Sequence, residues 1–177
     1  ELARIVDVNL RAPLMLSRIA LNYLREQDEA AIINVGSLGG RTPVAGSTTY
    51  SASKAGLRFF TLALADELRG SPIKVGLVSP GPVDTGFILA DIDETADITL
   101  SQPMSTAEEV AQAVLDLCGN NQREVAMPRI TGFLTTLIYL FPWIGRQMRP
   151  ALERKGRRFK EQFKAEQKRR ESGSPDS

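Results

Sequence analysis

The sequence predicts an α/β fold built around a parallel sheet, on three observations. Residues 30–35 and 73–78 are short, continuous apolar runs, the pattern of strands covered on both faces. Between them, over residues 50–69, Ala55, Leu57, Phe59, Phe60, Leu62, Ala63 and Leu64 read as a helix. Strand, helix and strand at these lengths make a βαβ unit, with parallel strands and a right-handed crossover.

Taken in order, residues 2–24 predict one long helix, with Leu2, Ile5, Val6, Val8, Leu10, Leu14, Met15, Ile19, Leu21 and Leu24 as its apolar positions. Pro13 removes a backbone donor and clashes with the carbonyl of Asn9, so a bend is expected there, freeing a carbonyl for a partner. The plainer reading of Asn9 is a surface polar residue. A polar turn at 27–29 leads to the first strand, which ends at Gly36-Ser37. Residues 38–49 hold three glycines and one proline without periodicity and predict a loop. The 50–69 helix closes at Gly70-Ser71-Pro72. The second strand ends in Ser79-Pro80-Gly81-Pro82-Val83-Asp84-Thr85. Ligands of open parallel sheets bind outside the carboxyl ends of the strands, where Ser37 and the 80–85 turn both fall.

Residues 86–103, with Phe87-Ile88-Leu89 among acidic residues, predict a mobile flap over that place. Ser105-Thr106-Ala107-Glu108 predicts a capping box opening a helix that runs to 117, followed by a turn at 119–121 and a last strand at 124–127. Residues 130–144 then carry no charge, and 146–170 are strongly basic, with Leu152, Phe159 and Phe163 as a thin apolar stripe. The uncharged stretch is short of the ~20 residues that span a bilayer. It predicts an interfacial segment on an anionic membrane surface, against packing of 133–144 on the body or on a second subunit beside a merely solvated basic helix. Residues 172–177 are expected to be disordered. The domain expectation is a catalytic part over 1–128 and a helical tail over 129–171.

Composition narrows the chemistry. The chain has 22 Lys/Arg and 21 Asp/Glu, but from Arg146 onward there are 11 against 5, so a tail of +6 follows a body of −5. Such asymmetry suits an anionic partner surface, and the basic run holds no nucleic-acid reader motif. There is no histidine, which excludes Ser-His-Asp and Cys-His nucleophile systems and ordinary zinc sites, so no metal is expected. The single Cys118 allows no internal disulfide, which fits a reducing, cytoplasmic setting. The sequence begins at Glu1, without an initiator methionine, and is expected to be part of a longer reading frame.

The chemistry-bearing residues are Tyr50 and Lys54, four apart and so on one helix face. An ammonium beside a phenol stabilises the phenolate and makes tyrosine a general acid or base. Tyr-x-x-x-Lys alone is a weak signal; its company makes it specific. Ser37 lies thirteen residues before Tyr50 at a strand end, Pro80-Gly81 and Thr85 follow the next strand, and Asn9 lies one element earlier.

This combination, across residues 1–128, resembles the short-chain dehydrogenase/reductase family. The resemblance implies a Rossmann-like doubly wound sheet and a catalytic tetrad of Asn9, Ser37, Tyr50 and Lys54. It implies that Tyr50 passes a proton to or from the substrate oxygen and that Ser37 hydrogen-bonds that oxygen. Lys54 would assist Tyr50 and bind the nicotinamide ribose, and the Asn9 carbonyl would hold a water linking Lys54 to solvent. Pro80, Gly81, Val83 and Thr85 would meet the nicotinamide of NAD or NADP. The implied reaction interconverts an alcohol and a ketone or aldehyde, with a hydrophobic substrate suggested by the tail and flap. Epimerases and dehydratases of the same family are a lesser alternative. A non-catalytic membrane-surface or subunit-interaction protein is the alternative from another class.

Gly36 stands where the family often has a serine. The family's first strand and glycine-rich pyrophosphate turn have no counterpart upstream of Asn9, so the 177 residues alone are expected to be unstable or to aggregate. Relatives of this kind pair the helices holding Asn9 and Tyr50 into a four-helix interface. Met15, Ile19, Phe59 and Leu62 are compatible with such a homo-oligomer, and equally with core.

Overall fold

The computed structural model describes residues 1–85, 92, 93 and 95–172. The chain opens on helix α1 (Leu2–Val6), which passes through a π-helical segment (Asp7–Arg11) into α2 (Ala12–Leu24). The predicted disturbance at Asn9 thus takes the form of a widened turn, in which the Ala12 N–H reaches back to the Asp7 carbonyl. Pro13 cannot donate to its own preceding turn, and one extra residue per turn accommodates that loss.

Strand β1 (Ala30–Val35) keeps its predicted bounds, while β2 (Ile73–Pro80) runs two residues further than expected. Helix α3 (Thr48–Glu67) lies two residues earlier than expected and ends before Gly70, at φ +87°. Strand β5 (Glu124–Met127) completes a parallel sheet in the order β1-β2-β5, with Val35 opposite Val78 and Pro80 opposite Met127. A small parallel pair lies beside it, β3 (Val83–Asp84) against β4 (Ser105–Thr106). That pairing moves the predicted capping box on by one residue. Ser105 donates its N–H to the Pro82 carbonyl, so Thr106 becomes the cap of α4 (Ala107–Gly119), with Glu109 as its reciprocal partner.

The period of two along the strands places helices on both faces. Ile32, Ile73 and Val75 pack with Leu21 and Leu64 from α2 and α3, whereas Val78 packs with Ala113 and Leu117 of α4 on the other face. Asn34, inside the apolar run, is buried and donates to Thr61 Oγ1 of α3 at 3.0 Å. One expectation needs correction: β1 is not covered along its whole length. Among the described residues it has β2 on one side only, and Val35 is 44 % exposed.

The tail forms two helices, α5 (Arg129–Leu140) and α6 (Pro142–Ser172), with Pro142 opening the second. The basic helix is not merely solvated. Gly156 is buried so closely on the Asp97 carbonyl that an added Cβ would stand 1.7 Å from it. Lys160 pairs with Asp97 at 3.0 Å, Arg157 reaches the same carboxylate at 3.5 Å, and Lys164 pairs with Asp93. Charge asymmetry read from the sequence is thus partly neutralised within the chain. Part of the predicted flap is ordinary structure: Ile92 and Leu100 are buried and Thr99–Ser101 is a 3-10 turn. The Phe87-Ile88-Leu89 part of that expectation lies outside the described residues, as does the expected disorder of 173–177; Ser172 itself ends α6.

Candidate active site

The carboxyl end of β1 is the meeting point. Gly36 continues the β1–β2 pairing, its N–H donating to the Val78 carbonyl at 2.7 Å. A side chain there would press on Leu77 Cδ1 at 3.0 Å and Ser79 Oγ at 3.3 Å, a local reason for glycine at this position. Ser37 then caps the 3-10 turn Leu38–Gly40, its Oγ accepting from the Gly39 N–H at 3.1 Å. That bond occupies an acceptor site of the hydroxyl and leaves its own proton for another oxygen.

Gly40 lets this turn lie directly on α3. A Cβ added to Gly40 would fall 2.7 Å from the Lys54 carbonyl carbon and oxygen, well inside contact distance. Gly39 borders both predicted reactive groups: an added Cβ would be 3.5 Å from Ser37 Oγ and 3.5 Å from Tyr50 Cε1. Ser37 Oγ and the Tyr50 ring thus approach the same glycine, with Tyr50 38 % exposed.

Lys54 Nζ donates to the Val35 carbonyl at 3.0 Å and lies 6.0 Å from the Tyr50 ring centroid. Burial lowers the Lys54 pKa from its usual 10.5. Asn9 joins the group indirectly: its Nδ2 donates to Ser53 Oγ at 3.4 Å, and Ser53 Oγ donates to the Tyr50 carbonyl at 2.7 Å. Asn9 is thus tied to the helix that carries Tyr50 and Lys54, which a lone surface polar residue would not be.

The 80–85 turn borders the same strand end. Pro82 is fully buried, and the Gly81 N–H donates to the Met127 carbonyl at 2.7 Å, so Gly81 offers shape rather than a free donor. A Cβ on Gly81 would approach both Gln102 Oε1 and Cδ to 3.3 Å and Leu38 Cδ1 to 3.4 Å. Thr85 is exposed, with its N–H turned back to the Val83 carbonyl at 2.8 Å. Gln102 Oε1 is a buried acceptor without a hydrogen-bond partner among the described residues. An exposed hydroxyl and an orphaned acceptor beside a tight turn fit a small polar group that both donates and accepts, as a carboxamide does.

A family model described as short chain dehydrogenase matches residues 1–97. The chain belongs to the short-chain dehydrogenase family. Among curated short-chain dehydrogenase relatives, the ketoacyl reductase HetN of Nostoc is 37 % identical over 145 residues, covering 78 % of this chain and 48 % of its own length. An acetoacetyl-CoA reductase of Allochromatium vinosum is 32 % identical over 120 residues, 66 % of this chain and 49 % of that protein. The chain spans about half the length of the curated relatives it matches. Among solved structures, a short-chain dehydrogenase of Burkholderia cenocepacia in complex with NADP superposes with a TM-score of 0.66 at 25 % identity, over 81 % of this chain and 58 % of that one. The closed form of serine dehydrogenase complexed with NADP+ gives 0.58 at 29 % identity, over 69 % and 53 %.

Several residues of this short-chain dehydrogenase site escaped sequence reasoning. Gly40 was one more glycine in a loop, and its role appears only when the loop is laid on α3. Arg41, Arg58, Ser79 and Glu124 come from four separate elements and form one buried polar cluster behind the site. Arg58, one turn after Lys54 in the apolar stretch Gly56–Phe60, carried a usable signal: a charge on a helix face otherwise meant for packing.

Proposed function

We propose that these residues form the catalytic half of an NAD(P)-dependent oxidoreductase that interconverts an alcohol and a ketone or aldehyde. The observation that carries the proposal is the convergence of Ser37, Tyr50 and Lys54 at the carboxyl end of β1, where a Cβ added to Gly39 would stand 3.5 Å from both Ser37 Oγ and the Tyr50 ring. Two structural neighbours, the serine dehydrogenase and the Burkholderia cenocepacia enzyme, are complexes with NADP, which supports a nicotinamide cofactor here. When bound, that cofactor supplies or accepts the hydride.

The chain's own residues then have distinct tasks. The Tyr50 hydroxyl gives a proton to the carbonyl oxygen in reduction and takes it back in oxidation. Ser37 donates to the same oxygen and stabilises the charge that develops on it. Lys54, anchored on the Val35 carbonyl, assists Tyr50 and holds the nicotinamide ribose. Asn9 steadies that helix through Ser53. Thr85 and the backbone at Val83 hold the carboxamide, with Pro80 and Gly81 shaping the turn. The substrate is a hydrophobic carbonyl compound, in keeping with the ketoacyl and acetoacetyl-CoA reductases among the relatives.

Two association surfaces belong to the same reading. Met15, Ile19 and Phe59 are exposed on α2 and α3 and form the contact of a homo-oligomer. Ile130, Phe133, Leu140 and Trp143 are exposed around the α5–α6 elbow, next to Arg129 and Arg146, and suit peripheral docking on an anionic membrane in a cytoplasmic setting. No helix among the described residues is long and apolar enough to cross a membrane. Sedimentation with anionic vesicles, compared with Phe133→Glu, tests the docking; binding unaffected by Phe133→Glu contradicts it.

Titration of NADH and NADPH, with Lys54→Ala as comparison, tests the cofactor assignment. Binding that weakens at least about tenfold in Lys54→Ala supports it, the loss expected for a charge-assisted contact of about 1.5 kcal/mol or more. Equal binding by both proteins contradicts the assigned role of Lys54.

A further inference from the structure

We infer that Glu124 is the positioning residue of this site: one buried carboxylate holds together the three segments that carry Ser37, Lys54 and the 80–85 turn. The inference rests on the oxidoreductase reading for its effect on rate, and on geometry alone for the clamp itself.

Glu124 lies at the start of β5, opposite Leu77, and its side chain is 12 % exposed. Three donors converge on it. Arg41 Nη1 reaches Oε1 at 2.5 Å. Arg58 makes a fork, with Nε at 3.0 and 3.1 Å from the two oxygens and Nη2 at 2.8 Å from Oε2. Ser79 Oγ donates to Oε1 at 2.9 Å. Burial pushes the carboxyl pKa up, but the hydrogen bonds and charges of Arg58 and Arg41 outweigh it and hold it below its usual 4.5. The carboxylate is therefore ionised and fully engaged at neutral pH.

Each donor stands one short step from a proposed functional group. Arg41 closes the turn begun by Ser37, with the Arg41 N–H on the Leu38 carbonyl at 3.0 Å and the Gly40 N–H on the Ser37 carbonyl at 2.9 Å. Arg58 follows Lys54 by one helical turn on α3. Ser79 immediately precedes Pro80-Gly81. Residues 41–47 join the Ser37 turn to α3, but the 80–85 turn and Glu124 lie far along the chain, so the mutual placement of the segments depends on noncovalent ties. Charge-assisted, forked bonds are the strongest and most directional available, and the groups that make them here are partly buried.

Arg41 also fastens the cluster to the tail. Its Nε donates to Thr135 Oγ1 at 3.1 Å, and its Nη2 donates to Thr136 Oγ1 at 2.9 Å and to the Gly132 carbonyl at 3.4 Å. Every nitrogen of the guanidinium is in use, so lysine could not replace it. Helix α5 is thereby joined through one side chain to the loop that carries Ser37.

The test uses the full chain as its organism makes it, with Glu124→Gln and the milder Arg41→Lys. Hydrogen exchange at the Gly39, Gly40 and Arg41 amides is expected to accelerate at least about tenfold in both, while global unfolding stays cooperative. The kcat for carbonyl reduction is expected to fall roughly tenfold to hundredfold, as small misplacements of reacting groups do, with the KM for nucleotide within about threefold of wild type. Wild-type exchange at those three amides in the folded variants overturns the inference. So does a loss confined to thermal stability with kcat unchanged. If the wild-type chain turns over no carbonyl substrate, the oxidoreductase reading fails, and the exchange measurement still decides whether Glu124 clamps the loop. If Glu124→Gln does not fold, Arg41→Lys alone supplies the same readouts.

Discussion

In the proposed reaction Tyr50 and Ser37 act on one substrate oxygen. Both border the Gly39 position, Ser37 with a hydroxyl already anchored by a backbone amide and Tyr50 with a partly exposed ring. Ser37→Ala removes one donor to developing charge, so kcat is expected to fall by about 10² to 10³, with nucleotide binding unchanged; steady-state kinetics against both substrates checks this. Gly40 is governed by sterics rather than chemistry. In Gly40→Ala, the added methyl would sit 2.7 Å from the backbone of Lys54, so either the turn or α3 must move. Overpacking of this kind costs about 1–3 kcal/mol, and a urea unfolding curve should show it together with loss of activity. A stability equal to wild type would mean that the turn has slack that its contacts do not suggest.

At the scale of elements, the strand ends do the placing. β1 leads to Ser37, β2 leads to the 80–85 turn, and α3 brings Lys54 to the Val35 carbonyl and the Tyr50 ring to the Ser37 turn. Glu124, from a third strand, ties these together, and its ionisation makes the arrangement sensitive to acid. Its folded pKa is depressed, so the stability it contributes is complete above about 4.5 and is lost as pH falls through the lower folded value. Urea midpoints measured from pH 6 downwards, roughly to pH 3, should fall less steeply in Glu124→Gln than in wild type. Parallel curves would assign the acid sensitivity elsewhere.

The α6 helix poses a separate question of packing. Gly156 fits against the Asp97 carbonyl only because it has no side chain. Gly156→Leu is expected to lift the helix from residues 97–101, read as faster proteolysis between Gly145 and Lys164 with the α3–β2 core unaffected.

Legibility followed the same scale. β1 and β5 were read at their full bounds because apolar runs between turn residues state their own limits. The π-helical turn was legible as a bend because Pro13 has a definite mechanical effect, though nothing in the sequence selected a wider turn over a kink. The capping box was off by one residue because Ser105 and Thr106 both precede a glutamate by three, and only the pairing of Ser105 with Val83 decides between them. The proposed site residues Tyr50, Lys54 and Ser37 carry a spacing signal in the sequence. Glu124, Arg41 and Arg58 did not, because their partnership spans 83 residues of chain between Arg41 and Glu124 and no local pattern records it.

The whole molecule is an acidic body with a basic helix folded back on it. Asp97 and Asp93 meet Lys160 and Lys164, while Arg154, Lys155 and Arg158 make no ion pair among the described residues. Exposed cationic pairs are screened by salt, so docking of α6 on the body is expected to loosen as ionic strength rises. Among the described residues the main sheet has two edges, β1 and β5, and at the β1 edge Val35 is half open to solvent.

The most direct test of the account is turnover of NADH or NADPH with a panel of hydrophobic ketones, wild type beside Tyr50→Phe. Loss of the hydroxyl alone should lower kcat by at least about 10², while nucleotide affinity stays near wild type. A Tyr50→Phe protein that turns over at the wild-type rate would contradict the central claim that Tyr50 carries the proton.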